Sequence, residues 1–170
     1  FLTGTLPDSI GQLTNLITLN LNRNHLTGSI PETIGMLEHL ESLNLASCAL
    51  RYSVPSTIGR LKSLRQLLLY HNRFTGQLPA SLGNLTQLSL LEIDQNALSG
   101  TLPPELCQLS QLETLDLYTN TIEGVIPACM GQLSQLQYLG LDENRLTGTL
   151  PSALGNLSSL VRMYLERNRL

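Results

Sequence analysis

Residues Leu133–Asn156 read LSQLQYLGLDENRLTGTLPSALGN, and this stretch decides how the whole chain folds. Leucines fall at 133, 136, 139, 141 and 146, while Asn144, Gly148, Pro151 and Gly155 punctuate them. Shifted by 24 residues, the pattern meets itself again along the chain with no insertion or deletion. One column makes the register plain: Asn24, Cys48, Asn72, Asn96, Asn120, Asn144 and Asn168. A fixed period of this size describes a solenoid, whose units bury their apolar face only by stacking on neighbours. Full repeats open at Leu13, Leu37, Leu61, Leu85, Leu109 and Leu133, and residues 1–12 and 157–170 are partial repeats of the same array. Solenoids usually carry polar capping units. None is visible here, so residues 1–170 are expected to be a segment of a longer array with ends able to associate.

Each repeat opens LxxLxxLxLxxN. Its alternating pair, such as Leu19 and Leu21, has the period of two of a short strand with one face buried. One such strand per repeat, stacked at roughly 4.8 Å, predicts a parallel sheet along one side of the coil. The asparagine follows where the chain turns inward, and its amide both donates and accepts, so a stack of them satisfies buried backbone groups. Seven of the eight prolines share one column, and twelve of the thirteen glycines share two. Gly140 is the exception.

On these residues the chain resembles the plant-type leucine-rich repeats, LxxLxxLxLxxNxLtGxIPxxLGx, over its whole length. Such repeats build the ectodomains of receptor-like kinases and receptor-like proteins and the secreted inhibitors of polygalacturonases. The resemblance implies an α/β solenoid, a right-handed curved coil with a parallel sheet on its concave face and 3₁₀ or irregular convex segments. It also implies binding rather than catalysis, with no cofactor, and an extracellular or cell-surface location.

One repeat departs from the pattern. ASCALRYSVP places Cys48 in the asparagine column and Arg51-Tyr52 where Thr-Gly is expected. Cys48 reads as a buried, inert thiol. Tyr52 implies either a local distortion of the coil or a glycine column that does not require positive φ.

With the leucines inward, the intervening strand positions face solvent on the concave side. Four of the five tyrosines fall there, Tyr70, Tyr118, Tyr138 and Tyr164, and tyrosine is a frequent interface anchor. Lacking a side chain, Gly140 is expected to leave a hollow bounded by Asp116, Tyr138, Asp142 and Tyr164. Charge is segregated as well: every charged residue from Arg51 to Arg73 is basic, and every one from Glu92 to Glu143 is acidic. Glu92, Asp94, Asp116 and Asp142 stand in two adjacent concave columns, where like charges repel. A basic or mixed partner surface follows as the expectation. The candidate ligand-binding residues are therefore Tyr70, Glu92, Asp94, Asp116, Tyr118, Tyr138, Gly140, Asp142 and Tyr164.

Other chemistry is not signalled. The formal net charge of −3 argues against a nucleic-acid partner. No apolar run approaches a membrane span, so no direct membrane contact is expected of this segment. No catalytic or metal-binding motif appears, and the concave carboxylates lack EF-hand spacing, so no metal is assigned. His71 falls near Asp94 across strands, without a nucleophile for a triad. Cys107 replaces a turn glycine and lies two positions out of register with Cys129. A disulfide needs Cα atoms within about 7 Å, and the offset weighs against one without deciding it. Free thiols favour a reducing compartment. Sequons at Asn84 and Asn156 mark glycosylation candidates that favour export. The leading expectation is a peptide- or protein-recognition module of a cell-surface receptor, binding through its concave face. The alternatives are a secreted inhibitor or defence protein and an architectural or adhesive segment.

Overall fold

The leucines that open each repeat turn inward together: Leu61, Leu64, Leu67 and Leu69 have no solvent exposure, and neither do their equivalents in adjacent repeats. The computed structural model describes residues 1–170. Thirty-nine buried apolar side chains form one continuous spine through it. Burying each leucine contributes about 1.5–3 kcal/mol, and no repeat does so alone.

Seven parallel strands line the concave face, at Thr18–Asn20, Ser42–Asn44, Gln66–Leu68, Leu90–Glu92, Thr114–Asp116, Tyr138–Gly140 and Arg162–Tyr164. Each pairs with the next at a separation of 24 residues, as in Leu115 opposite Leu139. This keeps the sequence columns in line across the sheet. The convex side carries seven 3₁₀ turns, each entered through the recurrent column proline in extended geometry, as at Pro31 with φ −70° and ψ 147°.

A second set of parallel strands was not legible in the sequence. Thr3–Thr5, His25–Gly28, Ala49–Tyr52, Arg73–Gln77 and Ala97–Ser99 form a five-stranded sheet, and Glu123–Gly124 pairs with Arg145–Leu146. These strands are staggered, pairing residues 22 apart. The LTGxLP segment reads as a turn because glycine and proline are depleted in strands. The strands end before the proline, so its missing N–H removes nothing from the ladder.

The two glycine columns serve different needs. In the column of Gly28 and Gly100, φ is +81° and +74°. Tyr52 sits in the same column at φ +72°. The coil is therefore not reshaped around the tyrosine, and the column does need positive φ; Tyr52 accepts a strained angle. In the other column the need is close approach: a Cβ at Gly35 would lie 2.6 Å from the Thr57 carbonyl oxygen of the next turn. The partner is again 22 residues on, and this explains the cysteines. Cys107 occupies that column, faces Cys129, and the two are bonded with Cα atoms 5.7 Å apart. The two-position offset that weighed against a bridge is the packing register of neighbouring convex turns.

The asparagine ladder links successive turns. Asn72 donates from Nδ2 to the carbonyls of Leu45, Leu69 and Tyr70 and accepts the Leu50 N–H at Oδ1. Asn96, Asn120, Asn144 and Asn168 repeat this set. Cys48 interrupts it. Its thiol is half-buried rather than buried, and reaches only the carbonyls of Leu21 at 3.5 Å and Ala46 at 3.7 Å. By the register of the other rungs, the position facing its missing acceptor is Leu26 N–H. Cys48→Asn should therefore stabilise the fold by about 1 kcal/mol, measured by denaturant unfolding; a loss of stability would contradict the ladder.

Candidate ligand-binding face

The concave strands fix the candidate residues on one surface, because successive repeats pair without slippage. Glu92, Asp116 and Gly140 lie directly opposite one another on adjacent strands, and Tyr164 follows on the next. Asp94, Tyr118 and Asp142 lie just past the ends of those strands. Tyr70 stands two strands away from Tyr118, with no ring contact joining it to the others.

Gly140 does not form the expected hollow. It is buried, and a Cβ there would meet Asp116 Oδ1 at 2.5 Å and Tyr138 Cε1 at 2.9 Å. The absent side chain is the space into which its two neighbours lean. The Tyr138 ring stands 5.6 Å from that of Tyr164, tilted by 52°, a favourable aromatic geometry. The open space lies beside this cover instead. A depression of about 500 Å³ is lined by Glu92, Thr114, Asp116, Gln137, Tyr138 and Arg162. Thr114, Gln137 and Arg162 were missed as site residues, because they carry no distinctive pattern and become neighbours only through the 24-residue stacking.

The carboxylates sit in an environment that resists their charge. Burial pushes the Asp116 carboxyl up to about 6, against a partial offset from the Tyr118 N–H at 3.2 Å; Asp94 and Glu92 raise it further. Burial also raises Glu92, with Asp94 adding repulsion, and raises Asp142 and Asp94. Asp94 is only 5% exposed. It accepts a hydrogen bond from Gln95 Nε2 at 3.1 Å, and Gln95 Oε1 lies 3.2 Å from His71 Nδ1. His71 thus reaches Asp94 through a glutamine, and nothing in this chain of contacts is a nucleophile. Burial and the surrounding carboxylates likewise raise the Tyr118 and Tyr138 hydroxyls, so both remain protonated donors. The ion pairs of the chain, Arg65–Glu41 and Arg167–Glu143, lie outside these four carboxylates. What this surface can do is accept: it offers partly dehydrated carboxylates beside aromatic rings, and although Arg162 lines the same depression, none of the four is held in an ion pair.

A repeating leucine spine, a parallel concave sheet and 3₁₀ convex turns define a leucine-rich repeat solenoid. The family profile described as "Leucine-rich repeat region" matches residues 2–99, and that described as "Leucine rich repeat" matches residues 100–146 and 110–170. The chain belongs to the leucine-rich repeat family, and its repeats are of the plant type. No curated protein matches the sequence. Among solved structures, it is 44% identical to the ectodomain of the receptor kinase GASSHO1/SCHENGEN3 from Arabidopsis thaliana, in complex with CASPARIAN STRIP INTEGRITY FACTOR 2. That match has a TM-score of 0.92 and covers 93% of this chain and 19% of that one. It is 37% identical to a TDR receptor, with a TM-score of 0.96 over 98% of this chain and 29% of that one. It is also 37% identical to the Arabidopsis HAESA ectodomain in complex with an IDA peptide hormone, with a TM-score of 0.93 over 98% and 28%. The chain thus spans between 19% and 29% of the length of these structures. The matched fold is that of recognition ectodomains and not of an enzyme.

The raised Asp116 pKa gives a signed pH dependence. A carboxyl raised from 3.8 to about 6 in the folded state contributes stability that is present below 3.8 and lost as pH rises through about 6. Lowering the pH from about 7.5 to about 5 should therefore stabilise the fold by on the order of 0.5–1 kcal/mol after solvent screening. In Asp116→Asn most of that gain should be gone. Thermal unfolding at both pH values checks this, and a wild type less stable at the lower pH would contradict it.

Proposed function

We propose that this segment is a non-catalytic recognition module of an extracellular receptor, binding a peptide or protein ligand across its concave face between Glu92 and Tyr164. The observation that supports it most is electrostatic. Glu92, Asp94, Asp116 and Asp142 are partly or largely dehydrated without an ion-pair partner. A basic ligand side chain entering the depression beside Tyr138 would supply the missing charge, and the ring face would add a cation–π contribution. Tyr138 and Tyr164 would anchor the apolar part of the ligand, with Tyr118 and Tyr70 extending the surface across the sheet. In this arrangement Gly140 acts indirectly, by letting Tyr138 and Asp116 pack over it.

The ligand complexes of the GASSHO1/SCHENGEN3 and HAESA ectodomains support a peptide as the ligand class. The Cys107–Cys129 bridge supports an oxidising, extracellular setting. Asn84 and Asn156 are both exposed at the ends of convex turns, away from the proposed face, where glycans would not obstruct it. On expression in a secretory host, both sites should carry endoglycosidase-sensitive mass; a chain without glycan at either would contradict this placement.

Binding is tested by calorimetry against a panel of synthetic lysine- and arginine-containing peptides at neutral pH. The best binder should lose about tenfold or more in affinity, roughly 1.4 kcal/mol, with Asp94→Asn/Asp116→Asn. Tyr138→Ala/Tyr164→Ala should weaken it comparably. Unchanged affinity in both double variants would remove the concave site.

A further inference from the structure

The second sheet contains the one repeat that breaks the sequence pattern, and the break clusters three features there. Tyr52 holds φ +72° where other repeats place glycine, and the residue is 55% exposed. Strained backbone at a non-glycine residue persists where the surroundings or a function require it. The fold requires the angle but not a tyrosine to carry it, since the equivalent positions in neighbouring turns are Gly28 and Gly76, also at positive φ.

Arg51 is the second feature. It lies directly opposite Arg73 on the adjacent parallel strand, and both are exposed with no carboxylate at ion-pair distance. Like charges opposed across a strand pair destabilise it. Elsewhere on the same side of the coil the equivalent pairing is complementary, with Glu123 opposite Arg145. Third, the Arg51 guanidinium stacks over the Tyr52 ring, 5.1 Å from its centre. Beside that ring lies a second depression of about 490 Å³, lined by Pro31, Glu32, Ser53, Pro55 and Asp8.

We propose that Arg51, Tyr52 and Arg73 form a lateral docking surface for an acidic segment of a partner protein. The paired guanidinium groups would receive two carboxylates, and the exposed ring would anchor an apolar residue between them. Arginine and tyrosine are the residue types that dominate such interfaces. Asp8 and Glu32 at the adjoining depression confine the attractive patch to the arginine pair, which suits a short segment with a few carboxylates better than a uniformly anionic polysaccharide or lipid surface. The surface lies on a different side of the coil from the concave face, and this assignment stands independently of the ligand proposed there.

The test uses a synthetic acetylated peptide of alternating glutamate and proline, with heparin and phosphatidylserine vesicles as competing probes. Saturable peptide binding should fall about tenfold or more in Arg51→Glu/Arg73→Glu and less than about twofold in Arg60→Glu/Lys62→Glu, on the convex turn. Tyr52→Gly should weaken binding while the Tm does not fall, separating recognition from folding. Asp116→Asn should leave this binding unchanged, so failure here is distinguishable from failure of the concave site. No saturable peptide binding, or equal loss in the two charge-reversal variants, overturns the proposal. Tighter binding to heparin or vesicles that is lost in Arg51→Glu/Arg73→Glu overturns it in favour of a polyanion.

Discussion

Everything in this molecule depends on one side chain repeated at a fixed interval. Each internal ladder asparagine bonds backbone groups in two successive turns of the coil. Asn120 and Asn144 are only 8% exposed, so the backbone groups they satisfy would otherwise be buried without partners, at about 1–3 kcal/mol each. The ladder therefore fixes where each turn begins relative to the last. Leucine burial supplies the bulk of the stabilisation, but leucines alone would tolerate a slipped register. The amides do not. Because the register is fixed, residues 24 apart in sequence become neighbours on the concave sheet, and a column of letters becomes a surface.

That surface is unusual in its electrostatics. Burial acts on all four carboxylates, and repulsion from neighbouring acids adds to it at Glu92, Asp116 and Asp142. For Glu92, Asp94, Asp116 and Asp142 alike, burial is the largest cause. The distinction matters for recognition. A partner that merely brought diffuse positive charge nearby would ease repulsion but leave dehydration untouched. Relief requires donors that make contact, as guanidinium and ammonium groups do. The tyrosines complete the site from the other direction: their hydroxyls stay protonated, and their rings supply area that excludes water around the charged contact.

The fold was legible because its determinants are local and repeated. Period, strand alternation and the proline column each point to the same coil, and the concave columns follow directly from them. What escaped the sequence depends on stagger. The second sheet and the Cys107–Cys129 bridge both arise from a 22-residue pairing that no 24-residue column displays. Gly140 failed as a hollow for a related reason: its missing Cβ was evident, but the inward lean of Asp116 and Tyr138 was not. The positive φ shared by Arg23, Ser47, His71, Gln95, Thr119, Glu143 and Arg167 was equally invisible. Those residues have nothing chemical in common, and the bend before the asparagine imposes the angle on whatever stands there.

The central claim is that the concave carboxylates are held in a dehydrated state that a basic ligand relieves. It is tested most directly by following the Asp116 side-chain carboxyl resonance through a pH titration, free and with a bound lysine- or arginine-containing peptide. The account predicts a midpoint near 6 in the free protein, moving down toward the ordinary aspartate range of about 4 when the peptide is bound. A free-state midpoint already near about 4, or one that does not move on binding, would contradict it.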